Sequence, residues 1–273
     1  MLARPNMDPR FRGDDYLGCS WFPLPAACFL RSSLSIMSNP LSLISLAAAA
    51  RRGKIDGGDA RQLVAAGVTL LQRCAPLVRE LGRGRGAVLL ENSAAYLVAL
   101  AACEGRGAVL LDPHSEADDI SRALDASDGR VVFTVERYAA AVRKETAMVL
   151  LDELPGHVVF VHGDERRRVD VGTHFGLSIE GEEESEGREE EAIVARDSAG
   201  GAFRSFTHRE LLEAARGVVS AAAIDAGDEV RVLLPFHDVY GLCSGLIAPL
   251  LAGARVVTRP SVGGAAAPPD HAL

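Results

Sequence analysis

The sequence predicts an α/β fold of parallel sheets flanked by helices, and three observations carry that expectation. Short β-prone runs alternate with helix-patterned segments of about 10–15 residues, as they do where strands are joined by helical crossovers. Four of the runs are apolar without alternation: Ala87–Asn92 (AVLLEN), Ala108–Pro113 (AVLLDP), Val131–Thr134 (VVFT) and Met148–Asp152 (MVLLD). Strands covered on both faces have this composition because neither side meets water. Finally, Asp228–Pro260 runs strand, polar corner, apolar helix, strand, which is the βαβ unit of a parallel sheet.

In chain order, residues 1–36 lack this regularity. Pro23 and Pro25 interrupt the apolar part, and Asp14 and Asp15 stand where a secretory signal is basic. The segment MDPRFRGDD resembles the translation of an interspersed repeat common in bacterial intergenic DNA, so the expected start is Met37, with a poor secretory signal as the alternative. One domain is expected over 37–259. The tail 260–273 is rich in Ala, Pro and Gly and aperiodic, as a disordered or frameshifted end would be.

From Asp59, a capping residue, Val64, Val68, Leu71, Ala75 and Val78 recur at helical spacing, with Pro76 expected to bend the last turn. The glycine-rich 81–86 follows a helix and precedes a strand, the reverse of a phosphate cradle, and is expected to be a connecting loop. After the first strand, Ser93 is placed to cap a helix to Cys103 that is apolar on every side and therefore internal. After the second, Ser115 and Asp118 have capping-box spacing for a helix through Ala126, with Ile120, Ala123 and Leu124 inward. Asp128 and Gly129 turn the chain into Val131–Thr134; a helix Val135–Lys144 and the strand Met148–Asp152 follow.

Glu153–Glu191 has weak strand character at His157–His162 and Val169–Val171 and is expected to be a linker, its acidic part 180–191 a solvated loop. Ile193–Phe206 fits a hairpin turning at Ser198–Gly201. Thr207 and Glu210 then form a capping box for a helix whose stripe is Leu211, Ala215, Val218 and Ala222. In Asp228–Pro260 a strand Glu229–Leu234 ends at Pro235. Phe236, His237, Asp238 and Tyr240 make the corner, and Leu242–Leu251 is the buried helix before Val256 and Val257.

Several function classes are disfavoured. A formal net charge of −8 over 273 residues argues against a nucleic-acid partner, which needs a basic face. The longest apolar runs, near Leu97–Cys103 and Leu242–Ala254, fall short of the roughly 20 residues of a membrane span. Five scattered cysteines fit buried thiols in a reducing cytosol, so a cytoplasmic location is expected. His157 and His162 have no third ligand at metal spacing, and no GxGxxG follows a strand.

Two blocks carry a family resemblance. GAVLLENSAAYLVALAACEGRGAVLLDP, followed by VVFT, resembles the opening of the adenylate-forming superfamily: acyl- and aryl-CoA synthetases, luciferases and peptide-synthetase adenylation domains. FTHRELLEAARGVVSAAAIDAGDEVRVLLPFHDVYGLCSGLIAPLLAGARVV is similar to that family's threonine-histidine helix and Phe-His-x-x-Gly corner. The resemblance runs from about Ala60 to Thr258 and implies the N-terminal part of that α/β fold, truncated. It implies ATP-dependent activation of a carboxylic acid to an acyl-adenylate, usually passed on to a thiol, with ATP and Mg²⁺ as cofactors.

By the same resemblance the phosphate loop falls in Ala195–His208, where Ser198, Gly200, Gly201, Arg204 and Thr207 are the cofactor-binding candidates. Phe236, His237, Tyr240 and Gly241 are the substrate-binding candidates, with Gly241 and Gly245 giving room for close approach. The residues alone also fit a structural role in which His237 caps the next helix and Tyr240 packs on the sheet. The family's threonine pair, proline and lysine are missing from ARDSAGGAFRSFTH. Two expectations therefore stand. One is a divergent acyl-CoA-synthetase-like ligase; the other is a non-catalytic remnant or pseudoenzyme that binds an acyl ligand or partner. Self-association through a sheet edge left uncovered is expected of either.

Overall fold

Five parallel strands make the middle of the larger sheet in the computed structural model, which describes residues 51–80, 84–103, 107–154, 156–172, 191–196 and 202–258. All lie in one unit, Leu41–Leu273. The expectations for 1–36, Met37, the acidic residues 180–190, Ser198, Gly200, Gly201 and 260–273 fall outside the described residues.

The central strands are β3 (Arg85–Val88), β4 (Ala108–Leu110), β5 (Gly129–Thr134), β6 (Ala147–Leu150) and β9 (Glu191–Arg196), in spatial order β9-β4-β3-β5-β6. Successive residues on a strand point to opposite faces, and here both faces are apolar. Val88, Leu110, Val131 and Phe133 join one core with helices α1 (Ala60–Glu80) and α2 (Ala94–Ala102). Ala87, Val109, Val132 and Met148 join a second core with α3 (Ala117–Ser127). Each fully buried Val or Leu contributes about 1.5–3 kcal/mol relative to exposure. Unbroken apolar runs are thus the physical signature of this sheet.

The edges are antiparallel. β7 (Gly156–His162) and β8 (Glu165–Gly172) extend the sheet beyond β6, and β10 (Phe203–Thr207) extends it beyond β9. The expected linker after Glu153 is therefore a hairpin, turned by Gly163 at φ 61°. Its outer strand carries Arg166, Arg167 and Arg168, the charged composition that discourages further pairing at a sheet edge. That polarity left only Val169–Val171, expected as a weak strand, visible to a search for apolar runs.

A second sheet, ordered β11-β12-β1-β2, joins Glu229–Arg231 (β11) and Arg255–Val257 (β12) to Lys54–Ile55 (β1) and Gly58–Asp59 (β2). β11 and β12 pair in parallel, Val230 opposite Val256, as the βαβ reading requires. The crossover is not one regular helix. It runs α6 (Val239–Leu242), a π-helical stretch Cys243–Ile247, then α7 (Ala248–Ala252), ended by Gly253 at φ 81°. Pro249, which has no N–H to give to a preceding carbonyl, stands just after the π-helical stretch.

Asp59 caps α1 as expected, its Oδ1 accepting from Arg61 N at 2.8 Å, and the helix continues through Pro76. The capping box of Thr207 and Glu210 opens α5 (His208–Ala222), where Leu211, Leu212 and Ala215 are buried while Ala222 is exposed at the far end. Four local expectations change. Arg85 and Gly86 belong to β3 rather than to a loop, because Arg85 is held by Glu191 and by the Ser127 carbonyl at 2.9 Å. Ser93 stands at the α2 N-cap but its hydroxyl donates to Glu91 O at 3.3 Å. α3 is entered through Glu116 with no side-chain cap, so Ser115 and Asp118 form no box. The expected helix Val135–Lys144 shortens to α4 (Glu136–Ala139), because Val142 is buried in the second core and turns bring the chain back to β6.

Candidate functional site

The chain leaves β11 through buried Val232, exposes Leu233 and Leu234, and turns at Pro235. Phe236 is wholly buried, with its ring edge-on to Tyr96 of α2 at 5.3 Å. Asn92, at the end of the β3 loop, reaches across to this corner. Its Nδ2 donates to Leu234 O and its Oδ1 accepts from Phe236 N, both at 2.7 Å. Asp238 is the N-cap of α6, its Oδ1 accepting from Gly241 N at 3.0 Å. A Cβ on Gly241 would overlap the Pro235 carbonyl oxygen, and one on Gly245 would stand 2.9 Å from Val232 Cγ1. The close approach these glycines permit is that of the chain's own corner.

His237 does not cap the helix, since Asp238 does, and Tyr240 is 66% exposed rather than packed on the sheet. Both line a cavity of about 680 Å³. Its other walls are Leu110, Leu111 and Asp112 at the carboxyl end of β4, Asp119, Ile120 and Ala123 of α3, and Arg196 and Phe203 of the β9–β10 hairpin. Ligands of parallel α/β sheets bind at this end of the strands. Phe236 and Gly241 stand behind the wall and shape it.

His237 Nε2 lies 3.8 Å from Asp112 Oδ1. Burial holds the imidazole below its ordinary pKa, His114 adds to that effect, and Asp112 and Asp238 oppose it. Burial wins, so the neutral imidazole is favoured, able to donate from one nitrogen and accept at the other. Beside it, at the ends of β3 and β5, the Tyr138 hydroxyl donates to Glu91, and Arg137 Nη2 lies 2.8 Å from the same carboxylate. Those bonds hold Glu91 below the usual carboxylate range. Burial first, and then the bond to Glu91, push the Tyr138 phenol up to about 12.

The expected nucleotide residues are placed differently. Side chains alternate along β10, so Phe203 faces the cavity while Arg204 lies on the other face. The Arg204 guanidinium lies 4.8 Å from the centre of the Phe206 ring and 3.6 Å from Glu210. Thr207 is committed to the capping box, donating its N–H to Glu210 at 2.8 Å and accepting from Glu210 N at 3.2 Å. The cation that reaches the cavity is Arg196, which the sequence reading passed over along with Asp112 and Asn92. Arg196 ends β9, while Asp112 and Asn92 lie in the loops that follow β4 and β3, and that position at the carboxyl ends of strands was the available signal. Among the described residues no group of three His, Cys, Asp or Glu could hold a metal ion, and no helix is long and apolar enough to cross a membrane.

No protein-family model and no curated protein matches the sequence. Solved structures do match. IdnL1 is 19% identical with a TM-score of 0.59, over 84% of this chain and 46% of that one. Apo MatB from Rhodopseudomonas palustris is 15% identical with a TM-score of 0.55, over 80% and 44%. The AMPPNP-bound form of the nonribosomal peptide synthetase FmoA3 is 17% identical with a TM-score of 0.57, over 81% and 23%. The fold is that of the N-terminal part of the adenylate-forming enzymes. The chain spans less than half the length of each of these three proteins. In that fold, the Phe-His corner and the end of β4 meet at the cavity.

Proposed function

We propose that the chain is the acid-binding part of a divergent acyl-CoA-synthetase-like ligase, and that the cavity beside His237 receives a carboxylic acid or acyl group. The observation that carries this reading is the cavity itself. Leu110, Leu111, Ile120, Ala123 and Phe203 form an apolar wall, while His237 and Arg196 supply polar groups. The wall takes acyl surface from water at about 25 cal/mol per Å². Neutral His237 donates a hydrogen bond to a carboxylate oxygen, and Arg196 offsets its charge.

ATP enters through the likeness to MatB, also solved with ATP bound, and to AMPPNP-bound FmoA3, and Mg²⁺ through the family resemblance of the sequence. When bound, ATP supplies the adenylyl group. Loop 197–201, with Ser198, Gly200 and Gly201, is the proposed phosphate contact. The pairing of Arg204 and Thr207 with Glu210, together with the missing lysine, supports the second reading, a binding module without turnover. The proposed domain is 37–259. The buried thiols of Cys103 and Cys243 support the cytoplasmic reading, and the β11 edge is the proposed place of self-association.

Titration calorimetry with a panel of carboxylic acids, beside ATP–pyrophosphate exchange, tests both readings. Saturable acid binding that His237→Ala weakens, without exchange, is the outcome expected of this chain alone. Robust exchange refutes the binding-module reading, and the absence of any acid binding by the folded chain refutes the acid site.

A further inference from the structure

The side chain of Asn92 makes two hydrogen bonds to residues 142 and 144 positions later in the chain. A residue beside a helix start ordinarily uses its amide on the helix itself. Here the amide presents one donor and one acceptor to the Leu234 carbonyl and the Phe236 N–H, as a neighbouring strand's peptide would. The two groups flank Pro235, which has no N–H of its own. Among the described residues, these are the only side-chain hydrogen bonds that tie the corner to the loops of the large sheet.

The corner so held contains Leu234, Pro235, His237 and Asp238, all of which line the cavity, while Asn92 itself does not. The facing wall, Leu110–Asp112, belongs to the large sheet and its loops. Two separate sheets must therefore be kept in register for His237 to stand over Asp112. The Phe236 ring on Tyr96 supplies burial at this joint, but a ring contact does not fix the height of the chain along the sheet. The paired amide bonds do, because both donor and acceptor must align.

We propose that Asn92 is a positioning residue of the site: its amide clamps the backbone on either side of Pro235 and so holds His237 against Asp112 across the cavity. This rests on the cavity being the acid site, but its first test does not require any acid. When the clamp is removed the corner opens, His237 is less buried, and the molecules competent to bind acid become a fraction of the total.

The test is the NMR titration of His237 in the full chain, its signal assigned by its loss in His237→Gln. The groups around this imidazole are Asp112, Asp238 and His114. Asn92→Ala is expected to move the titration midpoint up towards the ordinary histidine value, and to lower the melting temperature. Thr258→Val removes the hydroxyl bond to Asp56, 2.7 Å long, in the second sheet. It is expected to lower the melting temperature while leaving the His237 midpoint in place. Asn92→Ser, which is neutral and too short to make both bonds, gives the same readout if the alanine variant does not fold. A midpoint unmoved in the folded Asn92 variants overturns the proposal and leaves Asn92 a structural residue. With the midpoint moved, acid affinity is expected to fall by roughly 5–30-fold, the range that one to two kcal/mol of lost closure gives. An unchanged affinity in a chain that does bind acid overturns the link to the site. If no variant, including the parent, binds acid, the acid-site reading fails while the midpoint still decides the role of Asn92.

Discussion

Tyr96→Phe is expected to stabilise the protein, against the usual direction of core substitutions. Tyr96 is wholly buried, and its hydroxyl has no hydrogen-bond partner among the described residues. A buried polar group left unpaired costs about 1–3 kcal/mol. Burial, aided by the Cys103 thiol, pushes the phenol well above its ordinary pKa, so the group stays protonated and neutral throughout the working range. Phenylalanine keeps the ring, and with it the edge-on contact to Phe236 at 5.3 Å. The space vacated by one oxygen, about 10 Å³, costs only about 0.2 kcal/mol at roughly 24 cal/mol per Å³. The net expectation is a gain of about 1–2 kcal/mol, read as a higher urea midpoint at unchanged slope in far-UV circular dichroism. In a chain of this size that corresponds to a melting temperature higher by about 2–8 °C. Tyr96→Ala, which removes the ring, is expected to cost about 3–5 kcal/mol and to loosen the corner. A loss of stability in Tyr96→Phe refutes the reasoning. It would mean that the hydroxyl has a partner, with Cys103 the first neighbour to examine by a double-mutant cycle.

Three further outcomes are expected. Gly241→Ala drives a methyl into the Pro235 carbonyl oxygen, so it should cost about 1–3 kcal/mol or more in thermal unfolding, and move the His237 titration with it. Thr207→Ala removes the α5 cap at a cost of about 1 kcal/mol by urea denaturation, and returns the Glu210 carboxyl, now held low by Thr207, upward towards its ordinary value in an acid titration. His237 has a folded pKa below its unfolded one. Its stabilising contribution is complete above the ordinary histidine value and is lost as pH falls through the depressed folded value. His237→Gln should flatten that part of the stability–pH curve, measured by denaturation from neutral to mildly acidic pH.

The parts of the fold that sequence alone made legible are those where local chemistry and tertiary environment agree. Val88, Val109 and Val132 sit in unbroken apolar runs because the sheet is covered twice, and the βαβ pattern of Asp228–Pro260 survives as β11 paired with β12. The capping box at Thr207 is local and was readable residue by residue. β8 was legible only at Val169–Val171, because an edge strand is specified by charge as much as by apolar content. Asn92 was not, because its partners are far along the chain and nothing nearby announces them. That Arg196 rather than Arg204 reaches the cavity was not legible either. Composition puts Arg196 and Arg204 in the same short hairpin, but only the pairing of β10 with β9 decides which side chains look into the cavity.

That parity bears on how binding and turnover are divided in the molecule. Arg196 and His237 stand at one cavity, joined by the apolar wall from Leu110 to Ala123, so the groups that would recognise an acid are assembled by the fold itself. Arg204 pairs with Glu210 and Thr207 is capped by it, and moving Thr207 towards a phosphate would break the capping box and forfeit about 1 kcal/mol of helix stability. A phosphate contact that leaves the cap intact is then expected from residues 197–201 rather than from Thr207. Acid recognition and nucleotide recognition then rest on different groups, and they are separable by mutation. Substitution of Ser198 should leave acid affinity unchanged while abolishing any nucleotide effect, whereas His237→Ala should do the reverse. A nucleotide effect that survives replacement of Ser198 but disappears in Arg204→Ala would place the phosphate at the helix cap after all, and would reverse this assignment of Arg204 and Thr207.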